Sequence, residues 1–157
     1  KEPTIKLDRE TANIYPPATK TVTFTVTVNG VQGNSGVTWR SGNTKVATVS
    51  NGKVTAVGKG TATITAKANG KLAKAKVTVK DPYANVSPTS GTIKVGKTLQ
   101  LTTNYAPAST GTPSYSSSNK KVATVDSKGV VKGVKAGTAT ITVKVNGVTA
   151  KAEITVK

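Results

Sequence analysis

The 157-residue chain has no cysteine, no histidine and no methionine. Each absence closes off a kind of chemistry. Without cysteine there is no thiolate nucleophile and no disulfide, so packing alone must hold the fold. Without histidine or cysteine no zinc site of the usual kind can be assembled, and no imidazole is present to act as a general base. Acidic residues are scarce too: Glu2, Asp8, Glu10, Asp81, Asp126 and Glu153 complete the set. Asp8 and Glu10 are close enough in sequence to form a weak carboxylate pair. A calcium loop needs several oxygen ligands in a closely spaced run, and no such run exists. No apolar stretch approaches the roughly 20 residues of a membrane-spanning helix. The residues call for no cofactor, metal ion, catalytic group or membrane insertion. The chain opens at Lys1-Glu2-Pro3 without a leader pattern, and is expected to be a segment of a longer protein.

What is abundant is basic. There are 23 Lys and Arg against 6 Asp and Glu, a formal charge of +17. The excess is spread along both halves, with 13 basic and 3 acidic residues through Lys80 and 10 and 3 after it. Arg9 and Arg40 are the two arginines. Lysine is a hydrated point charge on a flexible stem, whereas bidentate reading of bases or phosphates favours arginine, so this composition disfavours nucleic acid as a partner.

The second abundant feature is self-similarity. Val46-Ala47-Thr48-Val49 recurs as Val122-Ala123-Thr124-Val125, an offset of 76. Past one inserted residue near Lys128 the offset becomes 77, and Gly60–Thr65 returns as Gly137–Thr142. From Gly52 to Lys80, 18 of 29 aligned positions are identical, far beyond chance. Trp39 aligns with Tyr115. In the front halves, Thr23–Val26 lies over Thr98–Leu101 at an offset of 75, keeping the apolar positions while the letters change. Two copies of this length imply two domains, residues 1–80 and 85–157, joined by a linker at 81–84 that contains the turn-favouring Asp81-Pro82.

Within each copy apolar residues alternate with period two, the signature of half-buried strands. Thr21–Val28 places Val22, Phe24, Val26 and Val28 on one face. Ala62, Ile64, Ala66 and Ala68 form a second apolar row, and Ala73, Ala75, Val77 and Val79 a third, with Lys74 and Lys76 turned outward. Ala139–Val145 and Ala150–Val156 repeat these rows. Asn69-Gly70 and Asn146-Gly147 separate them, and Asn-Gly is the strongest short hairpin signal because both residues tolerate positive φ. Asn29-Gly30 and Asn51-Gly52 mark further turns. Short strands between turns every 8–12 residues predict an all-β sandwich or barrel. Trp39, the single tryptophan, is expected in the core because its counterpart Tyr115 is also a large ring; the alternative is a sugar-stacking platform.

The ordered run Val37-Thr38-Trp39-Arg40-Ser41, Val46-Ala47-Thr48-Val49, Gly52-Lys53-Val54-Thr55-Ala56 and Gly60-Thr61-Ala62-Thr63-Ile64-Thr65 resembles the bacterial immunoglobulin-like group 2 family. The second copy keeps it, with Tyr115 for the tryptophan and Gly133 for Ala56. The resemblance implies two tandem immunoglobulin-like β-sandwich domains. Such domains are strung together in intimin- and invasin-type adhesins, wall enzymes, surface-layer proteins and tailed-phage virions. The motif positions are core and turn residues rather than a shared site, so fold does not by itself assign function. Some surface domains of this kind carry a Lys–Asn isopeptide bond assisted by a buried acid, but Glu153 alternates out of phase with Ile154 and should face solvent.

The expected role is therefore a non-catalytic structural or adhesive module of a bacterial surface protein, at the cell surface or extracellular, flanked by neighbouring domains of its parent chain. The alternatives are a virion-surface module of a tailed phage that holds host envelopes loosely, and an accessory carbohydrate-binding module of a secreted hydrolase. Outward lysines keep a Thr-rich β protein soluble and block edge-to-edge pairing. They also attract anionic bacterial-envelope or host-surface glycans, and the candidate polyanion contacts are Lys71, Lys74, Lys76, Lys120 and Lys121.

Overall fold

The computed structural model describes residues 2–157. The chain divides into two compact units, Lys1–Asp81 and Pro82–Lys157. None of the described residues forms a helix long and apolar enough to cross a membrane.

The strands of the first unit are β1 (Ile5–Leu7), β2 (Thr11–Ile14), β3 (Thr21–Thr23), β4 (Val26–Val28), β5 (Val31–Gln32), β6 (Thr38–Ser41), β7 (Ala47–Ser50), β8 (Lys53–Ala56), β9 (Gly60–Ala68) and β10 (Lys71–Val79). The alternating stretches on either side of Asn69-Gly70 make the longest strands of the unit, β9 and β10. β9 and β10 pair antiparallel over their whole length, β6 adds to the free edge of β9, and β2 adds parallel to β10, giving the sheet order β2-β10-β9-β6. The opposing layer consists of β1-β4-β5 and β3-β8-β7. It is continuous through Phe24 and Thr25, whose backbones carry the ladders on: the Phe24 N–H donates to Gly52 O at 2.8 Å and the Asp8 N–H to Thr25 O at 2.9 Å. Between β1 and β2 the chain leaves one layer and joins the other.

The second unit repeats this plan with β11 (Tyr83–Ser87), β12 (Ser90–Ile93), β13 (Thr98–Gln100), β14 (Thr102–Ala106), β15 (Ser114–Ser117), β16 (Ala123–Val125), β17 (Val130–Gly133), β18 (Gly137–Val145) and β19 (Val148–Val156). Its sheets run β12-β19-β18-β15, β11-β14 and β13-β17-β16, and β12 again lies parallel to the last strand. Tyr83 and Ala84, assigned above to the linker, already belong to β11.

Between the layers lies one apolar core per unit. In the first it includes Ile14, Phe24, Val54, Ile64, Ala66 and Val77; in the second, Leu101, Val131, Ile141, Val143 and Ile154. No polar or charged residue among those described is buried.

Two details depart from the sequence reading. Thr21–Val28 is not one strand, because its partner changes at Phe24: β3 pairs with β8 and β4 pairs with β1. The front halves also superpose at an offset of 77, not 75. Thr21 pairs with Thr55 and Thr98 with Lys132, and the Leu101 N–H donates to Gly129 O as that of Phe24 does to Gly52 O. A slip of two residues leaves every side chain on its own face, so alternation alone cannot detect it.

All four Asn-Gly pairs are left-handed two-residue hairpin turns, with the asparagines at φ of 49 to 53° and the glycines at 75 to 84°. The Gly52 turn is also tightly enclosed: a Cβ there would lie 2.7 Å from the Phe24 carbonyl oxygen and 3.2 Å from Cζ2 of Trp39, whereas one at Gly70 would meet nothing within 4 Å. Gly70→Ala is expected to cost about 1 kcal/mol, the ordinary penalty of left-handed backbone. Gly52→Ala adds a backbone clash and should cost at least twice as much. Chemical denaturation of the two variants checks the order; equal losses would mean that the Gly52 turn yields freely.

Candidate functional site

Where each lysine points follows from the strand alternation. On β10 the inward row is Ala73, Ala75, Val77 and Val79, so Leu72, Lys74, Lys76 and Thr78 stand on the outer face. Lys71 is exposed but in phase with Ala73, at the hairpin tip and off that outward row. The β9–β10 register sets Lys74 beside Thr65, Lys76 beside Thr63 and Leu72 beside Lys67. On the other side of β9, β6 brings Arg40 opposite Thr65 and Thr38 opposite Lys67. One sheet face thus carries Arg40, Lys67, Lys74 and Lys76 among threonines, with an open depression of about 580 Å³ lined by Thr38, Arg40, Thr63, Thr65, Lys67 and Lys74 among others. Arg40 and Lys67 were missed as candidates, although their outward direction was readable, since each neighbours an inward Trp39 or Ala66. The strand order that puts β6 and β10 on either side of β9 was not.

Lys120 and Lys121 lie in the second unit, in the exposed turn after β15. There the Asn119 side chain accepts the Lys121 backbone N–H at 3.1 Å, fixing the turn and leaving both ammonium groups in solvent.

Among the described residues the ion pairs are Asp8–Arg9 at 2.7 Å and Lys59–Asp81 at 2.9 Å. The second is about 70% exposed on both sides and adds little stability. Both oxygens of the Asp8 carboxylate are engaged. It accepts Nε and a terminal nitrogen of Arg9 and, through its other oxygen, the Thr25 N–H at 2.9 Å. Arg9 also reaches the Thr23 carbonyl at 3.3 Å and lies 5.5 Å over the Phe24 ring. These contacts clip the point where β3 passes into β4. No group of three or more metal-ligating side chains occurs among the described residues, and Glu153 is exposed.

Trp39 is half-buried on the inner face of β6 and packs against the core. Its indole Nε1 is buried without a hydrogen-bond partner among the described residues. Tyr115, at the same place in the second unit, has its hydroxyl 2.8 Å from Thr103 Oγ1. Both rings lie against a turn glycine, Gly52 between β7 and β8 or Gly129 between β16 and β17. They serve packing.

Two sheets closed over one apolar layer, with a first strand that changes sheets to lie parallel to the last, define each unit as an immunoglobulin-type sandwich. The chain belongs to the bacterial Ig-like domain (group 2) family, whose profile matches residues 4–79 and again 83–156. It is 34% identical over 150 residues, 90% of its length, to an uncharacterized protein of Clostridium acetobutylicum, of which it spans 15%. A stretch of 52 residues, 32% of the chain, is 56% identical to 5% of the 3-O-alpha-D-galactosyl-alpha-L-arabinofuranosidase of Bifidobacterium longum subsp. longum. The chain therefore covers only a small part of either relative. A crystal structure of the surface-layer protein SbsC matches 99% of the chain with a TM-score of 0.50 and 23% identity, over 28% of that protein. This likeness concerns the fold.

Partial burial pushes the Asp8 carboxyl up, but the hydrogen bonds from Arg9 and the Thr25 N–H outweigh it and hold the group below the usual carboxylate range. Ionised Asp8 therefore stabilises the first unit above about pH 4, and that contribution is lost as the pH falls through its lowered folded value. Asp8→Asn should lower the first unit's melting temperature at pH 7, and the gap to wild type should close below pH 4. A gap that stays constant with pH would deny the carboxylate this role. Trp39→Ala should cost about 3 kcal/mol, a large share of a small domain's stability. Amide NMR should show the first unit's signals collapsing and the second's unchanged. A folded variant that had lost glycan binding would make the ring a binding platform.

Proposed function

We propose that the chain is a non-catalytic display and spacer module of a bacterial surface protein, which also attaches weakly, through charge, to anionic envelope glycans. Membership of the family supports the structural part, since each copy is a self-contained sandwich suited to serial repetition. The attachment is carried by one observation: the outward lysines of β10 stand on an exposed sheet face and take part in none of the ion pairs found among the described residues. Exposed charges of one sign raise the local concentration of a polyanion and its encounter rate. Ammonium groups on flexible stems offer no fixed fork to match one particular sugar, so the contact is non-stereospecific. Such a module works outside the cell, beside further domains of its parent chain.

A second reading, an accessory module of a secreted carbohydrate-active enzyme, is favoured by the 56% identity of one segment to part of a glycosidase. Recovery of the parent reading frame separates the two: a surface anchor supports the first and an adjoining hydrolase domain the second.

The attachment is tested by salt titration against purified teichoic acid, heparin, DNA and a neutral glycan. Binding to the polyanions should be measurable at low salt and largely gone by about 0.3–0.5 M, because log affinity falls with log salt for such contacts. Tight binding to the neutral glycan that survives high salt would replace the electrostatic account with a specific lectin-like site.

A further inference from the structure

We propose that polyanion attachment is concentrated on the outer face of the β2-β10-β9-β6 sheet of the first unit, that its occupant is a linear wall polymer of phosphodiester-linked polyols, and that the second unit has no equivalent surface. The inference rests on the charge-driven attachment proposed above and assigns it a place and a ligand.

The two units provide an internal comparison. Through the shared register, Arg40, Lys67, Lys74 and Lys76 of the first correspond to Ser116, Lys144, Lys151 and Glu153 of the second. Four cations therefore stand against two lysines and a glutamate. All four are exposed, and none takes part in the ion pairs found among the described residues. On the opposite layer of the same unit the outward strand positions carry two cations, Lys6 and Lys53. Strand geometry sets Lys74 and Lys76 about 7 Å apart along β10, and Arg40 about 10 Å from Lys74 across β9. These spacings are comparable with the screening length of roughly 8 Å at physiological ionic strength, so the charges act together on one chain laid across them.

The character of the polymer follows from what the face offers. Thr11, Asn13, Thr38, Thr61, Thr63, Thr65 and Thr78 fill most of the remaining outward positions, and no aromatic ring is among them. Nucleic acid bases, which single-strand binders hold largely by stacking, find no platform here. A polyol phosphate has no rings to stack. It presents phosphate charges to the lysines, hydroxyls to the threonines, and a short carbon chain that can rest on Leu72, which is 54% exposed in the same depression.

The test uses the intact chain and purified poly(glycerol phosphate) teichoic acid, with heparin and single-stranded DNA alongside. Arg40→Ser with Lys76→Glu installs the residues that the second unit carries at these positions, so the sandwich should tolerate them, and thermal melts verify this. Lys120→Ser with Lys121→Glu removes the same amount of charge elsewhere. The first variant should bind teichoic acid about tenfold more weakly at low salt, with the slope of log affinity against log salt reduced by about two. The second should stay within about twofold of wild type. The reverse exchange, Ser116→Arg with Glu153→Lys, should strengthen binding. Equal losses in the two charge-matched variants would overturn the localisation and leave charge-driven attachment standing. Absence of low-salt binding by wild type would overturn both. Tighter binding of heparin or DNA than of teichoic acid, lost through the same two residues, would overturn the assigned occupant.

Discussion

The structure depends on one constraint: every second residue of the long strands must be small and apolar enough to sit between two sheets. In β9 and β10 these are Ala62, Ile64, Ala66, Ala68, Ala73, Ala75, Val77 and Val79, each buried or packed against the core. With no disulfide available, and no polar or charged residue buried among those described, specificity has to come from shape and from the turns. The left-handed Asn-Gly hairpins fix which residues face each other across β9 and β10, and so decide that the alanines point in together. Once the inward row is settled, the outward row is free to vary, and lysine and threonine occupy it.

That division explains what could be read from the letters. Period-two alternation reports the face a residue takes, and turn chemistry reports where a strand reverses; both signals are local. The hairpins, the inward rows and the outward direction of Lys74 and Lys76 were legible for that reason. The pairing order is not local. The parallel docking of β2 on β10 joins segments more than sixty residues apart, and no feature of Thr11–Ile14 announces it. The change of partner at Phe24 was hidden as well, because Thr21–Val28 alternates without interruption. Its join is held by Asp8 and Arg9, whose proximity to Thr25 and Phe24 exists only in three dimensions.

The same limit applied to the charged face. Lys74 and Lys76 sit on one strand and could be grouped by inspection, whereas Arg40 and Lys67 enter the group only when β6 and β10 flank β9. Lys71 is close to Lys74 and Lys76 in sequence, yet an odd separation puts it in the opposite phase. Lys120 and Lys121 formed a pair of letters, but they occupy a turn of the other unit. In a β protein, parity along a strand and register across strands assemble a surface; nearness in the chain does not.

The two copies also show how the interior and the surface accept change under different rules. Inside, substitutions offset one another in volume. Trp39 stands opposite Ala66 in the first unit, and the smaller ring of Tyr115 stands opposite the larger Val143 in the second. The tyrosine brings a hydroxyl inward, and Thr103 meets it at 2.8 Å where the first unit has the apolar Val26. A core packed at crystal-like density admits exchanges of this kind when total volume is kept and each new polar atom finds a partner. Outside, no such compensation is required. Arg40 becomes Ser116 and Lys76 becomes Glu153, all four exposed, so that neither exchange has to be accommodated by the core. The cost of changing an outward residue in this fold is therefore small, and its consequence is electrostatic rather than structural. The repeated sandwich thus keeps its apolar rows in both copies while the charge on its outward positions diverges.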